Sequence, residues 1–277
     1  MPQLKAQRKE QRKDQPQALI WDVDGTLAET ERDGHRVAFN LAFAAFDLPW
    51  RWDDAQYGNL LRITGGRERL RHDLQSRADA PVLPGGREAL ARAIHAKKNA
   101  IYADLVTSAR LPLREGVREL IEECHAGGVR MGIATTTSRV NVAALMQVHF
   151  GARWSDWFAA IVCGEDVHRK KPDPEVYELI LRALNIGPLD AVAIEDSPGG
   201  VAAARAADIP VIVTRSAYFA TASIDGAIAI GLGLHDRHGW RPALRASTGA
   251  NAGEAALVRL GDIEHWRALM DHVSEIY

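Results

Sequence analysis

The sequence predicts an α/β fold: an open parallel sheet interrupted by an all-helical insert. Three observations carry it. Short apolar runs end abruptly in polar residues; such runs alternate with helical periods after Pro112; and no strand pattern interrupts the stretch from Glu31 to Pro112. The first run, Ala18-Leu19-Ile20-Trp21, stops at Asp22-Val23-Asp24-Gly25-Thr26, as a buried strand running into a polar loop does. From Glu31 the periods turn helical, with Val37 and Leu41 beside Ala38, Ala42 and Ala45, and later Leu90 with Ile94. Turn signals at Leu48-Pro49, Gly65-Gly66, Pro81 and Pro84-Gly85-Gly86 divide this insert into four helices. Val117, Leu120, Ile121 and Cys124 then form one helix face that stops at Gly127-Gly128. Residues 129–134 read as a strand delivering Thr135, Thr136, Thr137 and Ser138, and a helix follows through Leu145. Strands over 160–163, 191–194 and 210–214 follow, with a helix over 201–207 between the last two. Beyond Thr221 the pattern weakens: 231–253 is rich in Gly and polar residues, and Ile263, Trp266 and Leu269 mark a terminal helix that serves packing. The expected division is a core of residues 18–30 and 113–277, a helical cap over 31–112, and a disordered basic extension over 1–17.

Composition narrows the class. At 277 residues with 47% hydrophobic side chains and a net charge of −2, the chain is neither disordered nor a repetitive fibre. Cys124 and Cys163 lack any C-x-x-C spacing, which argues against a zinc site or a disulfide scaffold and for a reducing, cytoplasmic setting. No apolar run suits a bilayer span and no hydrophobic signal core precedes residue 18, so neither membrane nor secretion is expected. The first residues carry Lys5, Arg8, Lys9, Arg12 and Lys13 but no interleaved aromatics, which reads as a solvated extension and not as a nucleic-acid arm.

Asp22 and Asp24 stand at i and i+2, so on extended backbone both leave the same side of the chain. Two close carboxylates repel unless a cation or proton lies between them, and an oxygen-only pair suits Mg²⁺. Thr135 and Glu195-Asp196 also follow strand ends, on the edge where open α/β sheets bind ligands.

Taken in order, Asp22-Val23-Asp24-Gly25-Thr26, Thr135, Lys171-Pro172-Asp173-Pro174 and Glu195-Asp196 resemble the four motifs of the haloacid dehalogenase (HAD) superfamily. The resemblance implies a Rossmann-like core, an inserted helical cap, Mg²⁺ dependence and phosphoryl transfer through an aspartyl-phosphate. Asp22 is then the nucleophile, Asp24 the general acid and base, Thr135 a phosphoryl-oxygen donor and Lys171 a fixed positive charge. Asp22, Asp24 and Asp196 would hold the metal, with Glu195 supporting them. Lys170 reads as a solvated neighbour of Lys171, and Glu165-Asp166 as a surface pair. An Asp at the second position of the first motif implies a phosphatase or phosphomutase and disfavours a dehalogenase.

A closer likeness lies in residues 28–40, in Thr64-Gly65-Gly66-Arg67-Glu68-Arg69 and in Ile133 to Ser138 with Asn141, which resemble the CbbY proteins. That group is similar to β-phosphoglucomutase in fold and acts on xylulose-1,5-bisphosphate, an inhibitor of Rubisco. The likeness implies a monomeric, small-molecule enzyme linked to Rubisco through that inhibitor. It implies substrate contacts from Glu31, Gly65, Gly66, Arg67, Glu68, Arg69, His95, Lys98, Thr135, Thr136, Thr137, Ser138 and Asn141. Arg67 departs from an expected Lys, exchanging a point charge for a planar fork. A bisphosphate gives the cap a physical task, because the phosphate outside the metal site needs its own cations and backbone donors. Two rivals stand beside this reading: a sugar phosphomutase, which returns the phosphoryl group, and a non-catalytic scaffold, whose usual sign would be a lost nucleophile or metal ligand.

Overall fold

The computed structural model describes residues 16–81, 84–108, 111–244 and 257–274. The expected extension over 1–17 therefore lies almost wholly outside the described residues, as does part of the polar stretch over 231–253.

Six parallel strands form one sheet: β1 (Ala18–Trp21), β2 (Arg130–Ala134), β3 (Ala160–Val162), β4 (Ala191–Glu195), β5 (Val211–Thr214) and β6 (Ala229–Gly231), in the order β3-β2-β1-β4-β5-β6. This is a Rossmann-like order, and its direction reverses beside β1. Alternate residues leave opposite faces of a strand. Leu19, Trp21, Ile133, Ile194 and Ile212 accordingly enter one core, while Ala18, Ile20, Ala134, Ala193 and Val211 enter the other.

Helices cover both faces. On the first lie α5 (Val117–Gly127), α6 (Arg139–Phe150) and α9 (Leu260–Ser274); on the second lie α7 (Glu175–Leu184) and α8 (Pro198–Ala206). Helix α8 begins earlier than its apolar period indicates because Ser197 caps it, accepting from the Gly200 N–H at 3.0 Å, and Pro198 opens the first turn.

Between β1 and β2 no further strand forms among the described residues, and helices joined by turns and loops fill the stretch. A π-helical turn (Glu31–His35) leads into α1 (Arg36–Ala45), followed by α2 (Asp54–Leu60), α3 (Gly66–Ser76) and α4 (Gly86–Thr107). These four helices share a cluster of their own, built on Phe39, Phe43, Trp52, Tyr57, Leu70 and Ile94.

Strand β6 is absent from the sequence reading, because three residues show no usable period. It is anchored by packing: the Trp240 ring lies where a Cβ on Gly231 would be, and stacks on Trp266 at 4.4 Å between centroids. Arg114 ties this end of the sheet to the loop after β1, donating to the carbonyls of Gly25, Thr214, Arg215 and Leu232.

Candidate active site

Strand register sets the site. Trp21 is level with Ile133 and Ile194, so Asp22, Ala134 and Glu195 leave the sheet at one height. The carboxylates of Asp22, Glu195 and Asp196 are buried and offer oxygens within 4.8 Å of one another. Lys171 enters from the loop before α7, and its Nζ donates to Asp22 Oδ1 (2.7 Å), Glu195 Oε1 (2.6 Å) and the Ala134 carbonyl (2.9 Å). Tyr177 donates a further bond to Glu195 Oε1 and sets its ring under the ammonium, 5.0 Å from Nζ.

Burial raises the Asp22 carboxyl to about 7, Lys171 opposing and Glu195 adding to the rise. Burial, with Asp22 and Glu195 beside it, likewise pushes Asp196 well above the carboxylate range. Lys171 moves the other way for a cation in a buried place: burial works to lower it, but Asp22 and Glu195 prevail and hold it charged. One cation among three buried carboxylates leaves an excess of negative charge. That excess and an all-oxygen donor set fit a hard divalent ion such as Mg²⁺.

Asp24 does not join this group. The expectation placed its carboxylate on the metal, but Oδ1 is turned to the Thr30 hydroxyl (2.6 Å) and His35 Nε2 (3.0 Å). Burial would raise this carboxyl, yet His35, Thr30 and Lys98 together depress it below its ordinary value. His35 in turn meets Lys98 Nζ at 2.8 Å through Nδ1, which makes a chain Asp24, His35, Lys98 whose last two members are buried and whose first is partly exposed. An ammonium can only donate, so a charged Lys98 makes Nδ1 the acceptor and leaves the proton on Nε2, facing Asp24. Burial lowers Lys98 to about 8.

His35 and Thr30 carry no role in the sequence reading. The π-helical turn has no distinctive sequence signal, and it is this turn that presents both Glu31 and His35 to the site. His35→Ala should lower kcat about 100-fold, as loss of an acid-base partner does. It should also move the acidic limb of the kcat profile to higher pH, since Asp24 loses the group that depresses it; an unmoved limb would reduce His35 to packing.

A cavity of about 670 Å³ lies between the sheet edge and the helical insert. Glu31, Gly65, Gly66, Arg67, Glu68, Arg69, His95, Lys98, Thr136, Thr137, Ser138 and Asn141 all line it. Asp22, Lys171 and Asp196 instead line an adjoining cavity of about 290 Å³, and Asp24, Glu31, Arg69 and Thr136 border both. Thr135 borders neither: it is buried, its hydroxyl accepting from the Thr137 N–H at 3.2 Å.

Charges within the larger cavity differ from the sequence picture in three places. Arg69 is turned into protein, donating to Tyr57, Glu31 and the Leu60 carbonyl, so it fixes Glu31 and offers little to an anion. His95 is lowered to about 3, first by burial and then by Lys98, so it lines the cavity as a neutral ring. Lys170 is not a solvated neighbour: its Nζ lies 3.0 Å from Glu68 Oε2 on the cavity wall. Glu165 lines the same wall and accepts from the Arg139 N–H.

The sequence pattern of the haloacid dehalogenase-like hydrolases matches residues 16–208. The chain belongs to that family. Among HAD-like hydrolases it is 45% identical over 215 residues to "Protein CbbY, plasmid" of Cupriavidus necator, covering 77% of this chain and 84% of the relative. To protein CbbY of Rhodobacter capsulatus it is 43% identical, covering 73% and 86%. The fold matches crystal structures of CbbY from Rhodobacter sphaeroides at TM-score 0.73 and 39% identity, over 78% of this chain and 94% of theirs, one in complex with phosphate and one, a mutant, with xylulose-(1,5)bisphosphate. For a HAD-like hydrolase the expected phosphatase class stands, as does the α/β core with its helical insert. No helix among the described residues is long and apolar enough to cross a membrane.

Proposed function

We propose that this HAD-like hydrolase is a Mg²⁺-dependent sugar-bisphosphate phosphatase that hydrolyses xylulose-1,5-bisphosphate to xylulose 5-phosphate and phosphate. The observation that carries the reading is a site with two anion-accepting ends: Lys171 beside the Asp22 carboxylate, and a separate wall bearing Gly65, Gly66, Arg67 and Lys170. Likeness to CbbY, crystallised with that bisphosphate, supports the choice of sugar. Removal of this Rubisco inhibitor is the role the resemblance implies.

Asp22, Asp196 and the neighbouring Glu195 would hold Mg²⁺, which when bound offsets phosphate charge and polarises the phosphoryl oxygens. Lys171 holds Asp22 in place and draws in the anion. Asp22 attacks phosphorus, forming an acyl phosphate as the bond to the sugar oxygen breaks, and Asp24 delivers a proton to that oxygen. Asp24 is ionised in the free site, so its proton arrives with the substrate, whose negative charge raises its carboxyl. The same carboxylate then takes a proton from the water that cleaves the acyl phosphate, and His35 with Thr30 keeps it aimed in both halves.

Phosphate release measured across paired bisphosphates and monophosphates tests the reading. The expected result is a kcat/KM for xylulose-1,5-bisphosphate about 100-fold or more above that for monophosphates, the scale of two lost charge-assisted contacts. Preference for an unrelated monophosphate would overturn it, and an isomerised product without net phosphate release would assign a mutase.

A further inference from the structure

Two consecutive lysines serve different ends of the site. Lys171 reaches the catalytic carboxylates, while Lys170 faces the larger cavity, where Glu68 meets it across the boundary between core and helical insert. The Glu68 carboxylate is folded back over the start of α3: a Cβ on Gly65, whose φ is +96°, would lie 2.2 Å from Glu68 Oε2 and 2.6 Å from Lys170 Nζ. Only a glycine leaves room for this pair against the backbone. Glu68 also bonds its own backbone N–H, so its carboxylate takes up a helix-end donor as well as the lysine, the two kinds of group a phosphate would use.

We infer that Lys170 is the recognition residue for the distal phosphate, and that Glu68 occupies its place until a bisphosphate displaces it. This rests on the sugar-bisphosphate reading and deepens it. Arg67, exposed at the same wall, is available to the incoming phosphate, whereas Arg69 is held by Glu31 and His95 is uncharged. Lys170 is therefore the cation there that a ligand can win from a single carboxylate. Glu68, a substrate contact on the CbbY likeness, becomes a competitor of the substrate. A compound with one phosphate has nothing to set against the Glu68 pair and leaves it closed, so the exchange selects for two phosphates.

The test is the selectivity ratio, kcat/KM for xylulose-1,5-bisphosphate over kcat/KM for p-nitrophenyl phosphate, measured on the full chain with Mg²⁺. Lys170→Met should lower the ratio about tenfold or more, the scale of one charge-assisted contact. Glu68→Gln should raise it about threefold by lowering KM for the bisphosphate, and should have no effect on top of Lys170→Met, since the two changes act on one interaction. Lys170→Arg, which keeps the charge, should restore most of the ratio and separates lost recognition from misfolding. An unchanged ratio in Lys170→Met overturns the inference, as does a lowered ratio in Glu68→Gln or no recovery in Lys170→Arg. Wild-type protein that does not prefer the bisphosphate overturns the functional reading and this inference together; a wild-type preference that Lys170→Met leaves intact overturns the role of Lys170 alone.

Discussion

Asp22→Asn is expected to reduce kcat by about 10⁴-fold or more, the loss seen when a covalent nucleophile is removed. The same change should stabilise the metal-free protein. Asp22 is raised from 3.8 to about 7, so between those values the folded state binds more protons than the unfolded one. Stability of the wild type therefore falls as pH rises through that window, and it stays lowered above it. Asparagine is neutral and nearly isosteric, so its melting temperature at pH 8 should exceed that of the wild type by a few degrees in chelator. Mg²⁺ should reverse the order, since the wild type keeps the anionic ligand that the variant lacks. Thermal melts with and without Mg²⁺ beside a phosphate-release assay measure both effects, and a residual rate within tenfold of wild type would refute the nucleophile assignment.

The second large effect is expected at Lys171. Methionine matches its length but removes the cation that Asp22 and Glu195 share inside the protein. Taking one partner from a buried ion pair costs about 3–5 kcal/mol, because the remaining charges lose their compensation. Lys171→Met should melt well below the wild type, recover in part with Mg²⁺, and lose about 10³-fold in kcat, the scale of one electrostatic donor at a transferring phosphoryl group. Unaltered stability in chelator would mean that the carboxylates are satisfied without the lysine.

These residues were legible for a simple reason. A strand that ends in a carboxylate or hydroxyl advertises itself, and parallel register brings such ends to one edge: Asp22 and Glu195 follow Trp21 and Ile194, which are level, and Thr135 comes one residue beyond that height. The proline pattern around Lys171 likewise distinguished it from Lys170, and the two side chains do diverge. What escaped reading depends on local backbone or distant pairing. His35 sits on a π-helical turn that no apolar period reveals. Arg69 has the composition of an anion donor, but Tyr57 and Glu31, far along the chain, turn it inward. Strand β6 has three residues and rests on a tryptophan that follows it. Charge counted along the cap likewise overstated the cations facing the cavity, because burial neutralises His95.

The position of β1 in the sheet bears on how the chain acquires its structure. Ala18–Trp21 is the first strand made, yet its two neighbours begin at Arg130 and Ala191, so the central strand has no partner until nearly half of the chain exists and lacks its second until well past the midpoint. The helical insert, by contrast, closes over Phe39, Trp52, Tyr57, Leu70 and Ile94, contacts of short sequence separation that form early. During synthesis the insert is thus expected to collapse while β1 waits with both edges unpaired, and such edges invite association with other chains. The switch-point location that puts Asp22, the proposed nucleophile, at the sheet edge also leaves its strand open to association before the sheet is assembled.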